Sequence, residues 1–347
     1  MDLSSAAAWQ PPDSWQKLTV IDSHAGGEPF RIVVDGLPDI PGETVLERRR
    51  YAERSLDHLR RGLMWEPRGH ADMYGGWLGA PVADDSDLSV LFLHNEGFST
   101  MCGHGIIALT KVALDTGIVA MNESDEATIG IDTPAGQILA TAVLRSGAVA
   151  SVHFRNVASF VDSLDNHVSV EGLGDVTYDL AFGGAFYAYV DALSLGLTWP
   201  PFDTAQLVDA GRSIKQAIIE SRVITHPREL DLAFLYGVIF TGPASSDGYT
   251  FRNVCVFADG EVDRSPTGTG VSGHIAIQDA RGAMSPGDQI VVESIVGSSF
   301  SGTLLERTSI GDMPAVIPGI SGTARITGRA EFWFDPDDEL SPGFLLR

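Results

Sequence analysis

The sequence has few cysteines and few lysines. Its two cysteines, Cys102 and Cys255, are too few for a disulfide framework, and no C-x-x-C pair offers the spacing of a zinc site. Only three of its 23 basic residues are lysines (Lys17, Lys111 and Lys215), and nothing around them indicates a Schiff-base enzyme. The cysteine content therefore predicts a reducing, cytoplasmic environment.

Long apolar runs and a leader segment are also missing from the sequence. No run of about 20 apolar residues occurs, so a membrane-spanning helix is not expected. The first residues, Met1–Trp9, lack the basic start and the apolar stretch of a signal peptide. Both features agree with the expectation of a cytoplasmic protein.

Basic charge is scarce. The 23 Lys and Arg residues stand against 46 Asp and Glu residues, and the formal net charge of −23 repels phosphate backbones and anionic membranes. Two short basic runs, Arg48–Arg50 and Arg60–Arg61, lie in a segment typical of a solvated helix face. We therefore expect a small-molecule partner and neither nucleic acid nor membrane; a homodimer stays possible.

The remaining composition is that of a folded α/β protein of about two domains. Among its 347 residues, 38 glycines and 18 prolines separate many short apolar runs. These runs predict strands at Leu18–Ile21, Phe30–Val34, Val90–Leu93, Ile138–Leu144, Ala185–Val190, Phe234–Thr241, Asn253–Phe257, Gln289–Ile295, Ala315–Ile320 and Thr323–Phe334. Apolar spacing of three and four residues predicts helices at Thr44–Leu63, Gly103–Thr116, Thr204–Ile219 and Gly268–Gly282.

Two of these predicted helices begin with similar glycine-rich segments, Met101–Ala108 and Pro266–Gly273, which lie 165 residues apart. One such segment in each half of the chain is typical of an internally duplicated fold. Both segments also fit the G-x-G-x-x-G/A pattern of dinucleotide-binding proteins. That reading is disfavoured, because about eight or nine residues separate each glycine segment from the strand before it.

A helix N-terminus binds anions, since its first N–H groups are unpaired and its dipole is positive there. Two such ends that face each other would hold one carboxylate from both sides. Cys102 directly precedes the first helix, where the same field favours a thiolate. Cys255 lies in an apolar run and is expected to be an inert core residue. Asp263 could bind a cationic ammonium, although a turn or capping role fits the spacing equally well.

Four segments together resemble the proline racemase family, which shares the fold of diaminopimelate epimerase. They are Asp22–Arg31, Pro67–Gly75, Met101–Gly105 and Asp263–Gly270. The resemblance implies an α/β enzyme without metal or coenzyme, built of two pseudo-symmetric lobes. Each lobe would wrap a strand-rich sheet round a central helix, with the substrate between the lobes. We expect lobes at residues 17–184 and 185–328, and a segment 329–347 that returns to the first lobe.

The sequence departs from the racemases of this family at one position. They carry a cysteine before each glycine-rich helix start, whereas here Thr267 replaces the second one. A threonine hydroxyl is a far weaker acid than a thiol, whose usual pKa is about 8.5, so two-base inversion is not expected. The Cys/Thr pair resembles the branch of the family that dehydrates trans-3-hydroxy-L-proline to Δ1-pyrroline-2-carboxylate.

The resemblance also implies roles for individual residues. Cys102 would remove the α-proton, Asp263 would hold the ring ammonium, and Thr267 would either bond to the leaving hydroxyl or only fill space. The implied carboxylate ligands are Gly103, His104, Gly268 and Thr269, and the implied pocket residues are His226, Tyr74 and Phe257. Glu28 and Arg31 match an early family motif without an evident role. A proline racemase, a 4-hydroxyproline 2-epimerase and a non-catalytic amino-acid binder remain as alternatives.

Overall fold

The computed structural model describes residues 3–121 and 124–346, and within them it joins eighteen strands in one hydrogen-bonded network with six α-helices. The first nine strands are β1 (Gln16–Ala25), β2 (Glu28–Asp35), β3 (Tyr74–Gly79), β4 (Leu88–His94), β5 (Phe98–Ser99), β6 (Glu126–Thr133), β7 (Gly136–Arg145), β8 (Ala148–Arg155) and β9 (Phe160–Val170). The other nine are β10 (Gly174–Phe182), β11 (Phe186–Asp191), β12 (Leu235–Gly242), β13 (Phe251–Phe257), β14 (Glu261–Val262), β15 (Gln289–Glu293), β16 (Ser299–Ile310), β17 (Met313–Gly322) and β18 (Ala324–Phe334). The helices are α1 (Leu3–Ala7), α2 (Val45–Ser55), α3 (Asp57–Met64), α4 (Gly103–Asp115), α5 (Thr204–Ser221) and α6 (Gly268–Ala280). None of these helices combines the length and the apolarity needed to cross a membrane.

Two helices are surrounded by strands, one in each half of the molecule. Every residue of α4 from Gly103 to Leu114 is buried, and strands β1, β2, β7, β8, β17 and β18 contact it. Helix α6 is buried from Gly268 to Ile277 and is contacted by β9, β10, β11, β16 and β17. A helix that is apolar on all sides is stable only when it is enclosed in this way.

Strand pairing links the predicted lobes to each other. Strand β10 forms a hairpin with β11, with Phe182 opposite Phe186, and both β9 and β10 pack on α6. Strand β18 pairs with β1 along its whole length, so the chain runs back beside its first strand from residue 324 onward. The division into lobes at residue 185 stays a prediction.

Every predicted strand overlaps an observed strand, and four of them extend one or two residues beyond it, but six longer strands were missed: β3, β6, β8, β9, β10 and β16. Most of these alternate apolar residues with exposed polar ones, or contain glycine pairs, so they lack a continuous apolar run. The predicted helix Thr44–Leu63 is two helices that meet at Leu56, whose N–H donates to the carbonyl of Ala52. Apolar spacing continues through that break, which is why the pattern did not reveal it.

Arg31, whose role the sequence left open, is a buried cation with partners on all sides. Its Nε and Nη2 donate to the two carboxylate oxygens of Asp22, each at 2.9 Å. Its Nη1 donates to the carbonyls of Leu63 at 2.9 Å and Arg68 at 2.6 Å, and the guanidinium lies 4.4 Å from the ring centre of Phe332. One side chain thus ties the first two strands to α3, to the loop after it and to β18.

Replacing Arg31 with Met is expected to lower the free energy of unfolding by about 2–4 kcal/mol, because two buried carbonyls and a carboxylate lose their donor. Chemical denaturation of the purified variant measures this change. The matched control is Arg329→Met on the exposed side of β18, which should change stability by no more than about 0.5 kcal/mol. Equal stability of the two variants would contradict the structural role of Arg31.

Candidate active site

The starts of the two enclosed helices touch each other. A Cβ atom added to Gly103 would lie 2.6 Å from Cα of Gly268, and one added to Gly268 would lie 2.8 Å from Cα of Gly103. Because real Cβ atoms do not approach backbone this closely, glycine is required at both positions. The positive ends of two helix dipoles therefore meet at one point.

A small cavity of about 20 Å³ lies beside this contact. It brings together nine of the ten site residues proposed from the sequence, together with four that the sequence analysis did not place there. The lining residues are Tyr74, Met101, Cys102, Gly103, His104, Tyr187, Tyr236, Cys255, Phe257, Asp263, Thr267, Gly268 and Thr269. Every one of these lining residues is buried.

Cys102 is the N-cap residue of α4, and its Sγ accepts the N–H of Gly105 at 3.2 Å. The ring nitrogens of His104 lie 3.3 and 3.4 Å from the same sulfur. Burial nevertheless raises the pKa of the Cys102 thiol well above its usual value, and the nearby carboxylates of Asp263 and Glu28 raise it further. Desolvation thus acts against the thiolate that the helix N-terminus favours, and the role of Cys102 as a base stays a prediction.

His104 carries no charge in this cavity. Burial lowers its pKa to about 4, although the negative charge of Asp263 acts in the opposite direction. A neutral imidazole has one donor and one acceptor nitrogen. His104 can therefore donate one hydrogen bond, either to the Cys102 sulfur or toward Asp263, whose Oδ2 lies 3.9 Å from its Nδ1.

Thr267 is arranged differently from Cys102, although both precede a helix. Its backbone φ is +65°, which is unfavourable for a β-branched residue, and its side chain does not cap α6. Instead, its hydroxyl donates to Oδ2 of Asp263 at 2.8 Å. Oδ1 of the same carboxylate accepts the N–H of Ser265 at 2.7 Å. The second helix start thus presents a carboxylate with a bound hydroxyl, whereas the first presents a sulfur atom.

Glu28, the other residue without an assigned role, supports the segment that leads to Thr267. It is fully buried, and its Oε2 accepts the N–H of Arg264 at 2.7 Å. Burial raises the pKa of Glu28 well above its usual value, and the neighbouring Asp263 raises it further. The Glu28 carboxyl group therefore favours the neutral form and limits the negative charge next to the cavity.

Cys255 is buried in the core, as expected from the sequence, and it also forms part of the cavity wall. Its carbonyl accepts the N–H of Asp263 at 3.0 Å. Side chains alternate between the two faces of a strand, so Cys255 and Phe257 on β13 point the same way. Phe257 was already assigned to the pocket, and this alternation was the signal that could have placed Cys255 there as well.

His226 lies outside the cavity, which corrects the pocket role proposed for it. Its ring packs against the rings of Phe160 and Phe182, with centres 5.8 and 4.8 Å away. Its Nδ1 accepts the N–H groups of Arg228 at 3.4 Å and Glu229 at 3.0 Å. His226 is therefore a partly buried residue that caps a turn beside an aromatic cluster.

Comparison with known proteins gives consistent matches over nearly the whole chain. The family model described as "Proline racemase" matches residues 20–345. A trans-3-hydroxy-L-proline dehydratase from Colwellia psychrerythraea is 46% identical over 342 residues, which cover 98% of this chain and 96% of the relative. A 3-hydroxyproline 2-epimerase from Burkholderia multivorans is 43% identical over 332 residues, covering 96% and 99%.

A solved structure supports the fold. The hydroxyproline epimerase from Agrobacterium vitis, with bound trans-4-hydroxy-L-proline, superposes with a TM-score of 0.91 at 32% identity, covering 96% of each chain. This match confirms the predicted α/β fold class.

Substituting Gly103 with Ala is expected to push the two helix starts apart, because the new methyl group would meet the backbone of Gly268 at 2.6 Å. We expect the free energy of unfolding to fall by about 1–3 kcal/mol, as for other overpacked sites. Chemical denaturation measures the change. An alanine at Gly97 is the control, since its Cβ would meet no atom within 4 Å. Equal losses in the two variants would contradict the importance of the Gly103 contact.

Proposed function

The chain belongs to the proline racemase family, and from that premise we propose that it is a hydro-lyase that converts trans-3-hydroxy-L-proline to Δ1-pyrroline-2-carboxylate. The observation that carries this proposal is the unequal pair of residues at the two helix starts. A thiol, Cys102, stands at one start, and a carboxylate-bound hydroxyl, Thr267, stands at the other. The name of the Colwellia psychrerythraea relative supports the same reaction.

The substrate carboxylate would bind where the two helix starts meet. The first N–H groups of a helix have no intrahelical acceptor, so those of Gly103, His104, Gly268 and Thr269 are suited to this ligand. The Thr269 hydroxyl bonds to the hydroxyl of Tyr187 at 2.8 Å, which fixes this end of the cavity. These donors would also stabilise the negative charge that builds on the carboxylate as the α-proton leaves, with about 3–4 kcal/mol for each well-placed donor.

Asp263 would bind the ring ammonium of the substrate. This carboxylate is buried in the cavity wall, and its two oxygens are already oriented by Ser265 and Thr267. A cation placed beside it would offset the negative charge that raises the pKa of Cys102. In this proposal the substrate itself helps to produce the thiolate that reacts with it.

Cys102 would be the only strong base. In trans-3-hydroxy-L-proline the carboxyl group and the hydroxyl group lie on opposite ring faces, so the α-hydrogen and the hydroxyl share one face. A base that removes the α-hydrogen is therefore also on the side from which the hydroxyl departs. Elimination then needs no acid or base on the opposite face, where Thr267 stands. Proton and hydroxyl loss transfers no electrons to a second molecule, so the proposed reaction requires no redox coenzyme.

Epimerisation at the α-carbon is a second candidate function. The 43% identical relative from Burkholderia multivorans bears the name of a 3-hydroxyproline 2-epimerase. Cys255 adds a second thiol to the cavity wall, near Thr267. Burial raises the pKa of Cys255 well above its usual value, as it does for Cys102.

The test of the proposed function is incubation with trans-3-hydroxy-L-proline, trans-4-hydroxy-L-proline and L-proline in D₂O, with water loss and inversion followed separately. We expect dehydration of the 3-hydroxylated substrate only. Cys102→Ser should reduce its rate by about 10³-fold or more, because a serine hydroxyl is too weak a base. Cys255→Ser is the matched control and should remain within about tenfold of wild type. Rapid inversion without water loss would favour the epimerase instead.

The raised pKa of Cys102 predicts a specific pH dependence. Only the thiolate can act as base, and burial shifts its formation in the free enzyme to higher pH. The ultraviolet absorbance of the thiolate, taken as the difference between wild type and Cys102→Ser, should therefore appear above the usual thiol pKa of about 8.5. Activity, measured as kcat/KM, should rise over the same pH range. A thiolate already fully formed at pH 7 would contradict the effect of burial.

A further inference from the structure

Three hydroxyl groups cluster on the Cys102 side of the cavity. Tyr74 on β3 and Tyr236 on β12 both line the cavity, and their hydroxyl oxygens are 3.2 Å apart. Ser99 on β5 makes a short hydrogen bond to the Tyr74 hydroxyl. Tyr74 and Ser99 belong to the first half of the molecule and Tyr236 to the second, so this cluster joins side chains from both halves.

The Tyr74 ring lies close to the groups around the reactive sulfur. Its centre is 4.9 Å from that of the His104 ring, which in turn contacts Cys102. The Tyr74 hydroxyl is also near enough to the Cys102 sulfur to act on it by hydrogen bonding, which lowers the pKa of the thiol slightly against the larger effect of burial. Tyr74 and Cys102 thus approach the ligand space from the same side.

The Thr267 hydroxyl is placed differently. It donates its proton to Asp263 and faces the second helix start. A hydroxyl with one proton cannot donate that proton to the carboxylate and to a departing group at the same time. Thr267 is therefore poorly placed to assist a hydroxyl that leaves from the Cys102 side.

We propose that the Tyr74 hydroxyl, held by Ser99 and Tyr236, binds the 3-hydroxyl of the substrate and donates the proton with which it leaves as water. This inference rests on the proposed function, because the shared ring face follows from the trans configuration of that substrate. It makes Tyr74 the residue that selects a ring hydroxylated at position 3.

The proton balance of this step is complete within the site. The Cα–H bond breaks and an S–H bond forms on Cys102, while the electron pair of Cα–H becomes the Cα=Cβ bond. The C3–O bond breaks, and its oxygen takes the Tyr74 proton and departs as water. The new thiol then returns a proton to Tyr74, which restores both groups. The unsaturated amine finally rearranges to the Δ1 imine by moving a proton from nitrogen to carbon.

The hydrogen bonds of the cluster allow this orientation. A tyrosine oxygen carries one proton and two lone pairs. Ser99 and Tyr236 can each donate to Tyr74, which leaves the Tyr74 proton for the cavity. Burial also raises the pKa of Tyr74 well above its usual value, so the hydroxyl keeps its proton until a strong acceptor forms next to it.

The test compares Tyr74→Phe with two controls, using trans-3-hydroxy-L-proline in D₂O. Both the dehydrated product and the deuterium at the α-carbon of recovered substrate are measured. Tyr74→Phe should lose about 10²-fold or more of its dehydration rate. The ratio of α-deuterated recovered substrate to dehydrated product should rise above that of wild type, because the α-proton is still removed while the hydroxyl no longer leaves.

The two controls separate this role from a general effect on the cavity. Tyr187→Phe also deletes one cavity hydroxyl, but from the carboxylate end, so it should lower exchange and dehydration in the same proportion, mainly through KM. Thr267→Ala should leave the ratio of exchange to dehydration as in wild type.

Each other outcome has a definite meaning. Dehydration by Tyr74→Phe at the wild-type rate would overturn the inference. A loss of dehydration without a gain in deuterium exchange would also overturn it, and Tyr74 would then only position Cys102. A raised exchange ratio in Thr267→Ala instead would assign the role to Thr267 and also overturn it. If wild type forms no dehydrated product, the proposed function itself fails, and this result is distinct from any difference among the variants.

Discussion

The contact between Gly103 and Gly268 is the constraint on which the rest of the site depends. Two helix N-termini repel each other electrostatically, and the strands that enclose the two helices, including β17 which contacts both, hold them together. At that distance neither start can carry a side chain on its first residue. The unpaired N–H groups of both helices are consequently directed at one small volume. The geometry is a binding site for a single anionic group before any side chain is considered.

Burial of this volume has a second effect, which acts on every ionisable group around it. It keeps Cys102 protonated, His104 neutral and Glu28 biased toward its neutral form, while Asp263 is held by two hydrogen bonds. In the proposed function, a zwitterionic ligand would bring a negative group to the helix ends and a positive group to the carboxylate, and the local charges would then favour a thiolate.

Much of this site could be predicted from the sequence, because its chemistry lies in two contiguous segments that begin helices. The cavity-lining residues that lie on strands were harder to predict. Cys255 could have been placed from its alternation with Phe257, whereas Tyr187 and Tyr236 come from strands of the second half whose approach depends on the tertiary fold. His226 was misplaced because a histidine before a proline gives no information about which cavity it faces.

The residues that precede the two helices differ, so the two sides of the site carry different functional groups. A cysteine that caps its helix keeps its sulfur at the N-terminus, whereas the side chain of Thr267 turns away from its helix to Asp263. In the proposed reaction, proton transfer would therefore be concentrated on the Cys102 side, and the opposite side would hold charge. The polar hydroxyls Ser99, Tyr74 and Tyr236 lie on the reactive side as well. A substrate that carries its leaving group on the same ring face as its acidic hydrogen fits this one-sided arrangement, whereas inversion requires equal reactivity from both sides.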